Sequence, residues 1–281
     1  MSEQNEMRDA IQEVVQTMMD GVMEKVLYKD PFIPDLHHAL KPIYAALVPD
    51  EIFKSAHFER RFVTPFGSVW EKLAVVAATK GLGYGIKGKR IEGMICEERL
   101  RRITEILNRL EHSKRGQQKQ KPDWESELNY ILAGGGDNKI PIYVECDVYA
   151  EDRTNTNNIK RYAFELKAPL PNSDQTKVSK EKIFKLYAMQ PKQVEGAYYA
   201  LPYNPYGTRD KYNWSFPARW FDMQADEVVL IGDEFWNKIG GLGTYQAFQA
   251  AINKIGPEYK ERIYREYLGI EPPENIAKIE L

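Results

Sequence analysis

The sequence of 281 residues is poor in several residue types on which common kinds of site depend. It has two cysteines, Cys96 and Cys146, which are too few for a disulfide framework or a four-thiolate zinc site. Its four histidines leave little material for histidine-based catalysis. The segment MSEQNEMRDA has no apolar signal core, and no apolar run approaches the length of a membrane span. We therefore expect a soluble, cytoplasmic protein with no membrane partner.

An excess of charge of either sign is also missing. The formal net charge of −2 at pH 7 excludes a uniformly basic surface for nucleic acid, but it is compatible with a local basic cleft. Hydrophobic residues make up 43% of the chain and charged residues 28%, a balance that supports a buried core and excludes disorder. The length suits one large domain or two small ones.

Helical periodicity dominates the two ends of the chain. Residues 3–28 repeat apolar side chains at helical spacing, and short helices are expected after the prolines of PDLHHALKPIYAALV and PDEIFKSAHFERRFV. The segment GSVWEKLAVVAATKG predicts a helix that Ser68 caps. The following GLGYGIKGKR, residues 81–90, lacks the spacing of a phosphate-binding loop and is interpreted as a turn. Further helices are predicted within 92–133 and 244–281.

The centre of the chain predicts strands. KIPIYVECDVYA, KRYAFELKAPLP, GAYYAL and DEVVLI are strand-like, and SKEKIFKLYAMQPKQV between them is helical. This order predicts an α/β (α+β) fold with a mixed central sheet flanked by helices, and with helical N- and C-terminal additions. We expect a single domain over residues 1–281, composed of an N-terminal helical part (1–60), a core (61–240) and a C-terminal helical part (241–281).

In two of the predicted strands, charged residues alternate with apolar ones. Residues two apart on a strand share a face, because successive side chains point to opposite faces. If the two strands pair as a hairpin around the polar loop 151–158, Asp147, Glu165 and Lys167 converge. The predicted faces are Val144, Cys146 and Val148 opposite Glu145, Asp147 and Tyr149 in the first strand, and Phe164 and Leu166 opposite Glu165 and Lys167 in the second.

Such a cluster of carboxylates suits a divalent cation. Carboxylates packed closely repel one another and take up protons unless a cation compensates them. Mg²⁺ prefers oxygen ligands, typically one or two carboxylates together with waters and a substrate phosphate. The lysine can orient or help deprotonate an attacking water and can balance charge on a phosphorane. A surface hairpin with cross-strand salt bridges would show the same alternation of charges and is the structural alternative.

Asp147 followed by Glu165-Leu166-Lys167 resembles the PD-(D/E)XK nuclease motif, with Cys146 at the position of the usual proline. GSVWEKLAVVAA resembles the helix that supplies a further acid in such nucleases, here Glu71. LPYNPYG and VLIGDEFWNKIGG resemble the C-terminal half of type II restriction endonucleases, most closely the TdeIII family, and the resemblance extends over residues 60–245.

This resemblance implies a PD-(D/E)XK restriction-endonuclease-like fold and Mg²⁺-dependent cleavage of double-stranded DNA. The target would be a short, palindromic site, of which the GGNCC class is an example, and a homodimer would suit its two-fold symmetry. In this interpretation Asp147, Glu165 and Glu71 hold the metal, and Lys167 serves the nucleophilic water.

Basic and amide side chains outside this cluster are candidates for DNA contacts. The lysines after the Glu-x-Lys strand suit phosphate contacts, although such helices are usually just solvated. An aromatic loop, YNPYGTRDKYNWSFPARW, offers the forked and amide side chains that read bases, or simply covers the sheet edge. The basic run 99–121 suits a second backbone contact or a plain amphipathic helix. The candidates are Lys177, Lys180, Lys182 and Lys185 on the helix, and Asn204, Arg209, Lys211, Asn213 and Arg219 in the loop.

Two other classes of function fit part of the pattern. A glycosidase with a carboxylate pair would explain the acids and the 12% aromatic content, but it needs neither a metal nor a lysine beside the acids. A non-catalytic DNA-binding protein with a nuclease-like sheet would have no reason to keep like charges together. Inhibition by EDTA separates the nuclease from the glycosidase.

Overall fold

The computed structural model describes residues 3–112 and 121–274, with helices at both ends and a five-stranded sheet in the middle. The predicted mixed α/β class is confirmed. The chain divides into two compact units, the first made of Met1–Leu73 and Gln246–Leu281 and the second of Ala74–Tyr245. The single domain predicted over 1–281 stays a prediction. Within the described ranges, no helix is both long and apolar enough to cross a membrane.

The first unit is helical, as its sequence predicts. Ile11, Val15 and Val22 form a buried stripe along its first helix, and the Tyr259 hydroxyl donates to Asp20 Oδ1 at 2.8 Å to join the two ends of the chain. Its elements are α1 (Glu3–Glu24) with a π-helical turn (Lys25–Lys29), α2 (Pro34–Leu40), α3 (Pro42–Ala45), the larger part of α4 (Asp50–Gly81), most of α9 (Thr244–Arg262), and a second π-helical turn (Ile263–Leu268).

Two predictions about these helices were wrong. PDLHHALKPIYAALV forms two helices rather than one, because Pro42 restricts the preceding Lys41, which leaves the helical region at φ −137°. Ser68 caps no helix, since α4 runs without a break from Asp50 through Pro65, and the Ser68 hydroxyl donates to the Pro65 carbonyl. Aromatic contacts one turn apart support the helix across its proline. They join Phe58 to Phe62, Phe62 to Phe66 and Phe66 to Trp70.

The sheet of the second unit has the strand order β1-β2-β3-β4-β5. β1 pairs antiparallel with β2, and β2 with β3, whereas the pairs β3–β4 and β4–β5 are parallel. The strands are β1 (Gly83–Cys96), β2 (Lys139–Asp152), β3 (Lys160–Leu166), β4 (Gly196–Leu201) and β5 (Val229–Ile231).

β1 corrects the interpretation of GLGYGIKGKR as a turn. Only its start turns the chain, at Gly83 with a φ of +92°. The next glycine allows close packing, because a Cβ on Gly85 would lie 2.6 Å from the Cβ of Ala78 on α4. Glycine is therefore needed here by a strand that crosses close to a helix.

Helices cover the sheet on both faces. Because β3 and β4 are parallel, the chain must cross over between them, and α7 (Ser173–Ala188) makes this connection. α7 contacts the sheet through Thr176, whose hydroxyl lies 3.1 Å from the Tyr199 hydroxyl of β4. The helices α5 (Glu97–Glu111) and α6 (Trp124–Leu132) pack beside α7 on the same face. On the opposite face, Phe235 of α8 (Asp233–Gly240) packs edge-on against Phe164 of β3. β3 is thus buried from Tyr162 onward, whereas the first half of β2 keeps exposed side chains on one face.

Candidate active site

The β2–β3 hairpin brings Asp147 to the end of β3. The predicted pairing of these strands is confirmed, and its register of Val148 opposite Phe164 sets Asp147 beside Glu165. The backbone N–H of Leu166 donates to Asp147 Oδ2 at 2.8 Å, and Lys167 Nζ donates to the same oxygen at 2.9 Å. One oxygen of Asp147 is therefore fixed by two donors from β3 and its end.

Glu165 is the most buried member of the group, with 2% of its side chain exposed. Lys167 Nζ lies 3.6 Å from Glu165 Oε2. Lys182 of α7 donates to both Glu165 oxygens, at 2.9 and 3.1 Å. The structure therefore brings together Asp147, Glu165 and Lys167, as the sequence predicts, and it adds Lys182, which the sequence suggested only as a phosphate contact.

The surroundings of Glu165 favour its protonated form. Burial raises the pKa of Glu165 to about 7, and the negative charge of Asp147 acts in the same direction, whereas the ammonium groups of Lys167 and Lys182 oppose the rise. Burial alone would lower the pKa of Lys182, but the attraction of the Glu165 carboxylate outweighs it, and the net pKa is raised. Two carboxylates and two ammonium groups thus share this small volume.

The predicted face of Val144, Cys146 and Val148 was wrong in part. Val144 and Cys146 pack in the same hydrophobic cluster as Tyr149, and burial together with the charges of Glu165 and Asp147 raises the pKa of the Cys146 thiol to about 12. The reason lies opposite Asp147 in β1. Lys87 pairs with Val148 and Lys89 pairs with Cys146, but Gly88 between them is not paired. The φ of +65° at Gly88 distorts the strand at this point. Cys146 is consequently a buried, inert thiol beside the site.

Glu71 lies half-buried on α4, within the first unit, whereas the other three predicted catalytic residues lie in the second unit. Its contribution to the site stays a prediction. Among the described residues, no group of three or more His, Cys, Asp or Glu side chains is arranged to hold a metal ion. The acidic candidates that the structure brings together are Asp147 and Glu165.

All four lysines predicted as phosphate contacts pair with a glutamate of the protein, Lys182 with Glu165 and Lys185 with Glu181. Lys180 is fully buried, its Nζ lies 2.5 Å from Glu127 Oε2, and it also donates to the Trp220 carbonyl. This position does not fit a contact with DNA and gives Lys180 a structural role instead. Lys177 Nζ lies 2.5 Å from Glu111 Oε2, and about a quarter of its side chain is exposed.

The aromatic loop after β4 contains both fixed and exposed candidates. Arg209 uses its guanidinium to bridge the Met223 and Asp226 carbonyls and the Glu234 carboxylate, so it stabilises the loop and does not fit base reading. Asn204 accepts the N–H of Tyr206 at 2.9 Å, as turn asparagines do. Lys211 and Arg219 are exposed. Both remain candidates for contact with a ligand outside the chain.

The basic run 99–121 is only partly described, since Lys114, Arg115 and Lys119 lie outside the described residues. Arg99 donates to the carbonyls of Gly134, Ala188 and Leu132, which anchors α5 to its neighbours. Arg101 forms ion pairs with Glu98 and Glu105 along the same helix. These pairs match the plain amphipathic helix that was the alternative interpretation of this run.

The pKa of Glu165 leads to a pH-dependent prediction. A carboxyl that titrates at about 7 carries a proton below that pH and cannot bind a cation until it loses the proton. We expect the affinity of the DNA-free protein for Mg²⁺ to fall about tenfold per pH unit below pH 7 and to level off above it. Isothermal titration from pH 5.5 to 8.5 measures this, and an affinity that is constant over the range would contradict it.

The fold and the site agree with one class of protein, the type II restriction endonucleases, which are site-specific deoxyribonucleases. The family model described as "Type II restriction endonuclease, HinfI" matches residues 7–256. The chain belongs to this HinfI family of type II restriction endonucleases.

Three type II restriction enzymes of Herpetosiphon aurantiacus are similar to the chain. HgiCII is 27% identical over 236 residues, which cover 82% of each protein. HgiEI is 25% identical over 268 residues, covering 90% of this chain and 92% of that enzyme. HgiBI is 25% identical over 227 residues, or 77% of each protein. The likeness to the TdeIII family, in contrast, stays a prediction.

Proposed function

We propose that this protein cleaves double-stranded DNA at a short specific sequence in a Mg²⁺-dependent reaction, with Asp147 and Glu165 as the metal ligands. One observation carries the proposal. A carboxylate from each of two adjacent strands contacts the same lysine, with Lys167 Nζ at 2.9 Å from Asp147 Oδ2 and 3.6 Å from Glu165 Oε2. This arrangement supports the PD-(D/E)XK assignment of the residues.

The chemistry of the two carboxylates fits Mg²⁺. This ion is commonly held by one or two carboxylates and completes its octahedron with waters and substrate phosphate oxygens. Glu165 is almost fully buried, and an ionised carboxylate at such a position requires positive charge nearby. When bound, the ion would lower the pKa of a coordinated water and withdraw charge from the phosphate.

Lys167 is placed to act on the attacking water. Its ammonium group is fixed between Asp147 Oδ2 and the Leu166 carbonyl, each at 2.9 Å. From this position it can orient a water molecule for in-line attack on the scissile phosphorus and stabilise the negative charge that develops on the phosphorane. Asp147 in turn holds the lysine, since the same oxygen also accepts the Leu166 N–H.

Exposed basic residues beside the site support DNA as the substrate. Lys87 and Lys89 of β1 pair with Val148 and Cys146, the neighbours of Asp147 on β2, and both lysines are exposed. Lys211 and Arg219 are exposed in the aromatic loop. Contacts of lysine and arginine with phosphate oxygens position a duplex without reading its sequence.

The finer parts of the proposal are supported by family membership and by symmetry. A palindromic site, of which the GGNCC class is an example, presents two equivalent strands, and a homodimer places one active site on each of them. Glu71 is proposed as an additional acid, and the close likeness to the TdeIII family stays part of the proposal. The cytoplasm is the proposed location, because the proposed substrate is DNA. Family membership replaces the glycosidase and the non-catalytic alternatives.

Incubation of the purified protein with a plasmid and a phage genome tests the proposal. We expect discrete fragments with Mg²⁺ and intact DNA with EDTA, because water activation at Asp147 and Glu165 depends on the cation. Sequencing of the fragment ends gives the target and the cleavage position. A smear would contradict site specificity, and cleavage that persists in EDTA would contradict the metal ligands.

A further inference from the structure

Lys182 holds the carboxylate that a metal ion must reach. Its ammonium group binds both oxygens of Glu165, at 2.9 and 3.1 Å, and Lys167 lies 3.6 Å from one of them. Mg²⁺ also binds through carboxylate oxygens, and two cations cannot occupy one oxygen without strong repulsion. Direct coordination by Glu165 is therefore strongest when Lys182 gives up at least one of its two hydrogen bonds.

The balance of charges in the site also favours release of Lys182 when a metal ion binds. With both carboxylates ionised and no metal bound, they face two ammonium groups and the cluster is neutral. A bound divalent cation adds two positive charges, and one lysine then becomes surplus in a buried environment. Lys167 is tied to Asp147 and to a backbone carbonyl, so it is the less free of the two. Lys182 contacts only Glu165 among the described residues, and 29% of its side chain is exposed.

A phosphate group of DNA is the anion that a displaced Lys182 would bind. A lysine side chain is long and flexible, and it binds phosphate as a point charge. α7 covers the face of the sheet on which Glu165 lies, so Lys182 approaches the site from the helical side while Asp147 and Lys167 approach from the strands. A phosphodiester bound to the metal would lie within reach of a side chain that starts at Glu165.

We propose that Lys182 is the counter-charge of Glu165 in the metal-free enzyme. When a metal ion binds, the Lys182 side chain leaves Glu165 and its ammonium group binds the scissile phosphate of DNA. This inference rests on the proposed function. The exchange keeps Glu165 compensated at every stage. It also couples metal binding to phosphate binding, because the metal releases the lysine that the phosphate then holds.

Substitution of Lys182 gives effects of opposite sign on two measurements. With Lys182→Met, the DNA-free protein should bind Mg²⁺ about tenfold more tightly at pH 9, because the competing cation is gone and Glu165 is ionised. The kcat for plasmid cleavage at saturating Mg²⁺ should nevertheless fall about tenfold to a hundredfold, because the phosphate loses a contact. Lys182→Arg keeps the counter-charge and should leave Mg²⁺ affinity close to that of the wild type.

Lys192→Met is the matched control, because Lys192 lies just beyond the same helix and pairs with Glu195 at 2.9 Å on the surface. It should change neither quantity. A purely structural role for Lys182 predicts weaker Mg²⁺ binding together with slower cleavage. Mg²⁺ affinity of Lys182→Met that is equal to or weaker than that of the control would therefore overturn the inference.

A second measurement uses the wild-type protein and does not depend on the folding of a variant. Acetylation of lysines by an activated ester, followed by mass spectrometry, reports how accessible each amine is. We expect labelling of Lys182 to be slow without Mg²⁺ and to accelerate severalfold with it, while labelling of Lys192 stays constant. Unchanged labelling of Lys182 would refute the displacement. Absence of Mg²⁺-dependent cleavage by the wild type would instead refute the proposed function.

Discussion

Asp147→Asn is expected to reduce the rate of DNA cleavage by about a thousandfold or more, with folding and DNA binding preserved. The amide keeps the shape of the side chain, and its oxygen can still accept the Leu166 N–H that Asp147 Oδ2 accepts at 2.8 Å. It loses the negative charge that a divalent cation requires and that holds Lys167. The loss should therefore fall on kcat and on metal affinity, and not on stability.

Cleavage of a plasmid under single-turnover conditions measures this effect, and a gel shift with Ca²⁺ in place of Mg²⁺ measures DNA binding. Glu145→Gln is the matched control, because Glu145 lies two residues earlier on β2 and is exposed. It should cut within a few-fold of the wild-type rate. If Asp147→Asn also cut at the wild-type rate, Asp147 could not be a metal ligand, and the assignment of the site would fail.

The second large effect is expected on stability. Lys180→Met should lower the free energy of unfolding of the second unit by about 3–5 kcal/mol, because it leaves the Glu127 carboxylate buried without its ammonium partner. Burial lowers the pKa of Lys180 even though the attraction of Glu127 raises it. This environment therefore strongly disfavours a charge that has no partner. Within the part of the chain that the structure describes, the other cation paired with Glu127 is Arg109, at 3.6 Å from Oε1. That distance is too long for a strong hydrogen bond.

Urea unfolding followed by tryptophan fluorescence measures the loss, since Lys180 lies 6.0 Å from the ring centre of Trp124. Lys177→Met is the control on the same helix. Its pair with Glu111 is partly exposed and should contribute less than about 1 kcal/mol. The double variant Lys180→Met, Glu127→Gln should recover part of the lost stability, because it removes the orphaned charge. Equal losses for Lys180→Met and Lys177→Met would contradict the structural role of the buried pair.

The two strands that hold Asp147 and Glu165 could be predicted because their signal is local. Alternation of side chains fixes which residues share a face, and a polar loop between two such runs indicates a hairpin. The Glu-x-Lys spacing then places both charged groups on one side of β3. Alternation held less well at Cys146, because Gly88 on the neighbouring strand distorts the pairing.

Lys182 and Lys180 could not be assigned in the same way. Their environment depends on how α7 is rotated against the sheet and on a partner far away in the chain. For Lys180 the partner is Glu127 on α6, and for Lys182 it is Glu165 on β3. The parallel order of β3 and β4 is the one clue to the position of Lys182, because it forces the connecting helix to cover a face of the sheet. In sequence, both lysines look like part of a solvated helix.

β1 was not predicted from the sequence, because its glycines suggested a turn. Its glycines are typical of turns, but they are needed here where the strand crosses close to Ala78. Close packing between two backbones leaves no trace in the hydrophobic pattern, so glycine is ambiguous until the neighbouring element is known. Lys87 and Lys89 of this strand become candidates for contact with DNA only because β1 pairs with β2, which sets them beside Asp147.

The compactness of the site along the chain has an evolutionary consequence. The side chains proposed for chemistry on DNA, other than Glu71, all come from the segment 147–182, which forms one hairpin strand, its partner and the helix that crosses back. The loop that contains Lys211 and Arg219 lies outside this segment. Mutation can therefore alter the exposed loop, and with it any contact that this loop makes with DNA, without disturbing the groups proposed to break the bond. Such a separation gives a restriction endonuclease a route by which its contacts with DNA can change while the groups proposed for catalysis are kept.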